Sequence, residues 1–207
     1  RYMQLEQTMT SALIVIDVQN DFCPGGALAV SHGDGIVAPI NAMMAGFNLC
    51  VLTQDWHPKD HASFASNHAG AADFSMTTMT YGPQVLWPDH CVQSTDGAAF
   101  HPMLDLTSAD LILRKGKNSA IDSYSAFFEN DRKTTTGLAG YLHARAVERV
   151  VLVGLATDYC VAYSAVDAAT LGFQVQVDLR ACCSINLAGS LTKAMTQMQQ
   201  AGVEFKE

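Results

Sequence analysis

The strongest constraint on this chain is a set of short, unbroken apolar runs separated by stretches of helical spacing. Residues 11–16 read Ser-Ala-Leu-Ile-Val-Ile, and residues 149–153 read Arg-Val-Val-Leu-Val before Gly154 breaks the run. Such runs lack the alternation of a half-exposed strand and suit strands covered on both faces. Residues 48–53, 111–113, 173–177 and 203–205 are further strands, with helices expected over 36–47, 138–147, 157–171 and 187–201. Parallel neighbours require right-handed crossovers. The pattern therefore predicts a three-layer α/β fold, a mostly parallel six-stranded sheet with helices on both faces.

With 207 residues, the chain is long enough to bury one large core without disulfides or metal clips. Residues 11–207 are read as a single domain, and residues 1–10 as an N-terminal extension ahead of the first strand. A formal net charge of -8 disfavours nucleic acid and anionic membranes as partners. No apolar run reaches the length of a membrane span. The six cysteines, at 23, 50, 91, 160, 182 and 183, lack the spacing of a secreted disulfide framework, so a cytoplasmic location is expected.

Ligands of such folds gather at the carboxyl ends of the strands. Four chemically active residues lie there: Asp17, Asp55, Lys115 and Cys160. A single cysteine near a helix start is usually a small buried hydrophobe. Here Cys160 follows Gly-Leu-Ala-Thr-Asp-Tyr, where Thr157 or Asp158 is expected to cap the helix. Unpaired N–H groups of a first turn would favour its thiolate and could hold an oxyanion. An Asp beside the thiol can take its proton and return it to a leaving amine, while a Lys between them stabilises the anions. Asp17, Lys115 and Cys160 together thus describe acyl transfer through a thioester. Residues 55–110 are rich in His, Pro, Gly, Ser and Asp without a sustained period, and a connection of that length is usually functional or disordered. Residues 74–80, with two Met and three Thr, admit no reading.

The strings Asp-Val-Gln-Asn-Asp-Phe at 17–22, Arg-Lys-Gly at 114–116 and Gly-Leu-Ala-Thr-Asp-Tyr-Cys-Val at 154–161 resemble the cysteine hydrolases of the isochorismatase-like superfamily, which have a Rossmann-like fold. Within it the resemblance is to the nicotinamidases, and it covers residues 12–205. It implies an Asp17–Lys115–Cys160 triad, a cis peptide before Ala156, and an oxyanion hole from the N–H groups of Ala156 and Cys160. Asp-Trp-His-Pro at 55–58 and Trp-Pro-Asp-His-Cys at 87–91 offer one carboxylate and two imidazoles, a donor set suited to zinc, manganese or iron. The resemblance implies one divalent metal on Asp55, His57 and His90, zinc first among the candidates, with the substrate's ring nitrogen directed towards it. His61 is expected one layer outside these ligands, and the Cys91 side chain is expected to point away from that of His90. Phe22 and Trp87 would line the substrate pocket, with Tyr124 nearby.

The implied reaction is hydrolysis of nicotinamide to nicotinic acid and ammonia through a cysteine thioester, in NAD salvage, with pyrazinamide a further substrate. No organic cofactor is needed, and homo-oligomerisation is left open. The rivals are a superfamily amidase acting on carbamoyl or ureido compounds, sharing the triad but lacking the Asp-His-His set, and a catalytically silent α/β binding module.

Overall fold

The computed structural model describes residues 9–207, so most of the expected extension at 1–10 lies outside the described residues. The apolar runs become the strands of one six-stranded sheet: β1 (Ser11–Ile16), β2 (Leu49–Asp55), β5 (Leu111–Lys115), β6 (Arg149–Leu155), β7 (Gln174–Cys183) and β8 (Glu204–Lys206). Their order is β5-β2-β1-β6-β7-β8, and every pairing is parallel. The helices are α1 (Val37–Met44), α2 (Leu138–His143), α3 (Ala162–Thr170) and α4 (Ser190–Gln200). The chain steps from β1 out to β2 and β5, then jumps back to β6 and on to β8. With right-handed crossovers this reversal puts α1 on one face and α2, α3 and α4 on the other. Between β1 and β6 lies the point where the winding reverses, the place where open α/β sheets bind ligands.

The central strands are apolar because helices cover both their faces. Leu13, Ile14, Ile16, Leu52 and Leu152 are fully buried, each contributing about 1.5–3 kcal/mol of apolar burial. One glycine is dictated by the pairing itself. Gly154 sits at φ 117° opposite Ile16, and a Cβ there would lie 2.1 Å from the Ile16 carbonyl oxygen. The break in the apolar run at Gly154 thus marks where β6 presses against β1. At the same point the β6–β7 register slips, and the longer β7 pairs again through Cys182 and Cys183.

Residues 74–80 prove to belong to a small antiparallel hairpin, β3 (Met76–Met79) with β4 (Gly82–Val85). Its residues are mostly half-exposed, so no buried face stamped an alternation on the sequence. The hairpin leads into Leu86 and Trp87, whose backbones are tied to Phe74, Ser75, Ser63 and Ala65. That ties down the approach to His90. Among the described residues, no helix is long and apolar enough to cross a membrane.

Candidate active site

Three strand ends and one strand-to-helix turn bring the chemistry together. Asp55 and Lys115, expected just past their strands, are instead the last residues of β2 and β5, paired in register. Asp17 follows β1 directly with φ 48°, a left-handed conformation uncommon outside glycine. Its carboxylate is fully buried. Thr53 Oγ1 donates to Asp17 Oδ1 at 2.6 Å and accepts from the Asp17 N–H at 3.2 Å. Lys115 Nζ lies 2.7 Å from Asp17 Oδ2 as an ion pair without hydrogen-bond alignment. The same ammonium donates to Asp55 Oδ1, to the Ser123 carbonyl at 2.9 Å and towards Cys160 Sγ at 3.4 Å.

Cys160 sits on a turn that differs from the expected helix start. Residues Thr157–Val161 form a single π turn preceding α3, with Ala156 as the N-cap and a cis peptide bond between Leu155 and Ala156. Neither Thr157 nor Asp158 caps it. The Asp158 carboxylate instead accepts from the N–H groups of Ile185 and Asn186 and from Ser190 Oγ, tying the turn to the start of α4. Ser164 Oγ donates to the Cys160 carbonyl at 2.6 Å and accepts from the Ala126 N–H at 2.8 Å. These bonds hold the 123–128 loop against the turn. In the turn's backbone bonding, the Ala156 carbonyl accepts from the N–H groups of Tyr159 and Val161.

The electrostatics correct one expectation. Burial, reinforced by the charges of Asp17 and Asp55, holds the Cys160 thiol well above its ordinary pKa despite Lys115. Removal from water favours the neutral thiol, opposing the stabilisation expected from first-turn N–H groups. Asp17 is pushed up to about 6 by burial, with Lys115 opposing and Asp55 adding to the rise. Burial would also raise Asp55, but Lys115 and then His57 hold its carboxyl far below the usual range. Lys115 stays charged because Asp17 and Asp55 outweigh its own desolvation. The buried cluster therefore holds one ammonium, one firmly ionised carboxylate, one carboxylate poised near neutrality and a thiol.

Asp55 belongs to two groups at once. While Oδ1 meets Lys115, Oδ2 faces His57 Nε2 at 3.4 Å and His90 Nε2 at 3.9 Å. His57 Nδ1 is 2.9 Å from the Gly116 carbonyl and His90 Nδ1 is 2.8 Å from the Pro88 carbonyl. A carbonyl can only accept, so both Nδ1 atoms carry hydrogen and each Nε2 faces Asp55, presenting a lone pair whenever its ring is neutral. Gly116 cannot be another residue, because a Cβ there would lie 2.4 Å from His57 Cε1. Potential ligand atoms of Asp55, His57 and His90 all lie within 4.8 Å of one another. Two oriented imidazole lone pairs and a carboxylate oxygen converging in a buried site fit a divalent metal with positions left open. The same cluster attracts positive charge: burial depresses His57, but Asp55 overrides it and holds the ring above its ordinary pKa.

His61 stands beside His57, and with His57 and Asp122 it forms a second buried group of potential ligand atoms within 4.8 Å of one another. Its ring centroid is 4.3 Å from that of His57, and its Nδ1 accepts from the Ser63 N–H at 3.3 Å. Its proton is consequently on Nε2, which has no hydrogen-bond partner. Burial and the neighbouring His57 lower its pKa to about 4. Cys91 is fully buried and absent from the metal-ligating clusters among the described residues.

A narrow cavity opens at the two groups, lined by Cys160, Asp55, His90 and Ala156 together with Phe22, Trp87 and Tyr124. Trp87 Nε1 donates to Tyr124 Oη at 3.0 Å, and Gln84 Nε2 donates to the same oxygen at 2.9 Å. Tyr159 also lines it, stacked edge-on to Trp87 with centroids 4.9 Å apart. Sequence reasoning did not single out Tyr159, although an aromatic directly before Cys160 was a usable signal. Thr53, a hydroxyl inside an apolar strand two residues before Asp55, was another. Asp122, also in the cavity wall, carried no signal because nothing near it in sequence is periodic or motif-like.

The isochorismatase domain family matches residues 11–206. A nicotinamidase of Acinetobacter baylyi is 52% identical over 202 residues, covering 98% of this chain and 94% of its own length. Among solved structures, a nicotinamidase/pyrazinamidase of Acinetobacter baumanii has a TM-score of 0.95 at 51% identity and covers 98% of each chain. A pyrazinamidase of Pyrococcus horikoshii in complex with zinc has a TM-score of 0.77 at 35% identity, covering 95% of this chain and 98% of that one. The match spans the whole sheet and both groups of buried polar residues, and the chain belongs to the isochorismatase domain family, where these relatives are nicotinamidases and pyrazinamidases.

Proposed function

We propose that the chain hydrolyses nicotinamide to nicotinic acid and ammonia, with Cys160 as nucleophile, Asp17 as proton acceptor and donor, and Lys115 as the cation that orders them. The observation that carries this reading is the buried contact set at one end of an aromatic slot: Lys115 Nζ lies 2.7 Å from Asp17 and 3.4 Å from Cys160 Sγ. The relatives named above support the substrate class.

Burial disfavours the thiolate, so attack is coupled to proton transfer. Sγ bonds to the carboxamide carbon as its proton passes to Asp17, whose Oδ2 is ion-paired with Lys115. The carbonyl π pair moves to oxygen, where the N–H groups of Ala156 and Cys160 are the proposed oxyanion hole. The C–N bond then breaks as Asp17 returns the proton to nitrogen, and ammonia leaves the thioester. Water adds next and gives a proton to Asp17. The C–S bond breaks, the sulfur is reprotonated and nicotinic acid is released. Lys115 keeps its charge throughout, offsetting the negative charge on Asp17, Asp55 and the sulfur in turn.

Asp55, His57 and His90 would hold one divalent ion, zinc being first among the candidates with iron or manganese the alternatives. Bound there, it supplies a Lewis-acid anchor for the pyridine nitrogen that fixes the ring in the slot. Phe22, Trp87 and Tyr124 provide the flat walls, which suit pyrazinamide equally. A cytoplasmic role in NAD salvage accords with six unpaired thiols. Ammonia release is to be measured with nicotinamide, pyrazinamide and an N-carbamoyl amine, before and after chelation. Turnover of the aromatic amides, lost in Cys160→Ala and impaired by chelation, is expected. Preference for the N-carbamoyl compound, or retained turnover in Cys160→Ala, overturns the reading.

A further inference from the structure

We propose that Gln19 and Asp21 are positioning residues of the metal centre, one holding Asp55 and the other the peptide that carries His90. The proposal rests on the Asp55–His57–His90 reading above. It begins with a gap in the sheet. In register, β1 pairs with β2 only as far as Val15 opposite Leu52, and the chain turns away at Asp17. Asp55 lies three residues further along β2 and has no β1 partner. The Gln19 side chain takes that place. Its Oε1 accepts from the Asp55 N–H at 2.8 Å and its Nε2 donates to the Asp55 carbonyl at 2.8 Å. The second Nε2 hydrogen goes to the Ala98 carbonyl at 2.9 Å. Gln19 is fully buried, so its carboxamide acts as a one-residue extension of β1 that fixes the Asp55 backbone.

Asp21 performs the matching task on the other side. Its Oδ2 accepts from the Cys91 N–H at 2.7 Å, and its Oδ1 accepts from the Ala27 N–H at 3.1 Å. Cys91 is left-handed, with φ 46°, and its carbonyl accepts from the His57 N–H at 3.0 Å. One residue therefore joins Asp21 to His57 and, through the chain, to His90. The fit leaves no slack, since a Cβ on Gly97 would lie 2.2 Å from Asp21 Oδ2. Asp17, Gln19 and Asp21 thus serve both halves of the site from one short segment. Groups that orient metal ligands through hydrogen bonds typically alter metal affinity by about 10–100-fold when removed.

The test is zinc affinity, read by competition with a chromophoric chelator, together with the absorption spectrum of the cobalt(II)-substituted protein. Wild type is expected to bind one zinc per chain. Asp21→Ala and Gln19→Met should each weaken zinc by about 10–100-fold and alter the cobalt spectrum. Asp21→Asn, which keeps an oxygen able to accept from the Cys91 N–H, should recover part of the loss. The unfolding midpoint of each metal-free variant is measured alongside. Wild-type zinc affinity and an unchanged cobalt spectrum in both Asp21→Ala and Gln19→Met, with only the unfolding midpoint lowered, would mean a purely structural role and overturn the proposal. Wild type without zinc binding would overturn the metal reading beneath it instead.

Discussion

Replacing Lys115 with Met tests the electrostatic core of the site directly. Lys115 Nζ is the buried cation shared by Asp17 and Asp55, at 2.7 Å from Asp17 Oδ2. At an effective dielectric near 20, attraction across that distance is about 6 kcal/mol for Asp17 alone. The lysine's own desolvation offsets part of this, and loss of one partner of a buried pair typically costs about 3–5 kcal/mol. Met restores the volume but leaves two buried carboxylates with oxygens within 4.8 Å of each other, a repulsion of roughly 3 kcal/mol. That repulsion ends when one carboxylate is protonated. With the cation gone, the folded pKa values of both lie above their unfolded values, so the folded variant binds more protons and gains stability as pH falls. Urea unfolding of the metal-free proteins, followed by circular dichroism, should show a loss of about 3–5 kcal/mol at pH 8. The loss should be smaller by roughly 1–3 kcal/mol at pH 5. A loss below about 1 kcal/mol, or one that stays constant or grows towards acid pH, would refute the account of Lys115 as the counter-charge of both carboxylates.

Three further outcomes are expected. Asp17 must be ionised to accept the thiol proton and its pKa is raised to about 6, so kcat/KM for nicotinamide should fall about tenfold per pH unit below that value. An acid limb that is unchanged in Asp17→Glu and centred near pH 4 would argue against Asp17 as the base. Gly154→Ala would place a methyl 2.1 Å from the Ile16 carbonyl at φ 117°, and should lower unfolding free energy by roughly 2–4 kcal/mol; denaturant titration checks this. Tyr124→Phe removes the oxygen that accepts from Trp87 Nε1 and Gln84 Nε2; Gln84 Nε2 keeps the Val85 carbonyl and Asp122 Oδ2, so Trp87 Nε1 is left unpaired at about 1–3 kcal/mol. Steady-state kinetics should show KM raised by several-fold, with kcat changed much less.

The fold class and the positions of the chemistry were legible because parallel strands buried on both faces must be apolar throughout. A polar residue at the end of such a run, as Asp17 is after Ile16, is then conspicuous. The His57 and His90 strings were legible only as a donor set by residue type; that their ligand atoms converge with Asp55 came from the fold. The β3–β4 hairpin was hidden because its half-exposed Met-Thr-Thr-Met strand has no buried side to impose a period. The role of Asp158 was hidden because its partners, Ile185, Asn186 and Ser190, lie far along the chain.

By itself, the sequence determined where the strands of the main sheet lie, that they pair in parallel, and which side chains stand near their carboxyl ends. Those properties follow from local apolar patterning and the handedness of crossovers. The tertiary structure alone decided that β6 lies beside β1, so that Cys160 comes to the Lys115 that pairs with Asp17. It also decided that Asp55 is shared between Lys115 and the two histidines, and that burial raises the thiol's pKa. Each of these depends on through-space distance and exclusion of water, quantities that exist only once strands remote in sequence have closed around one another.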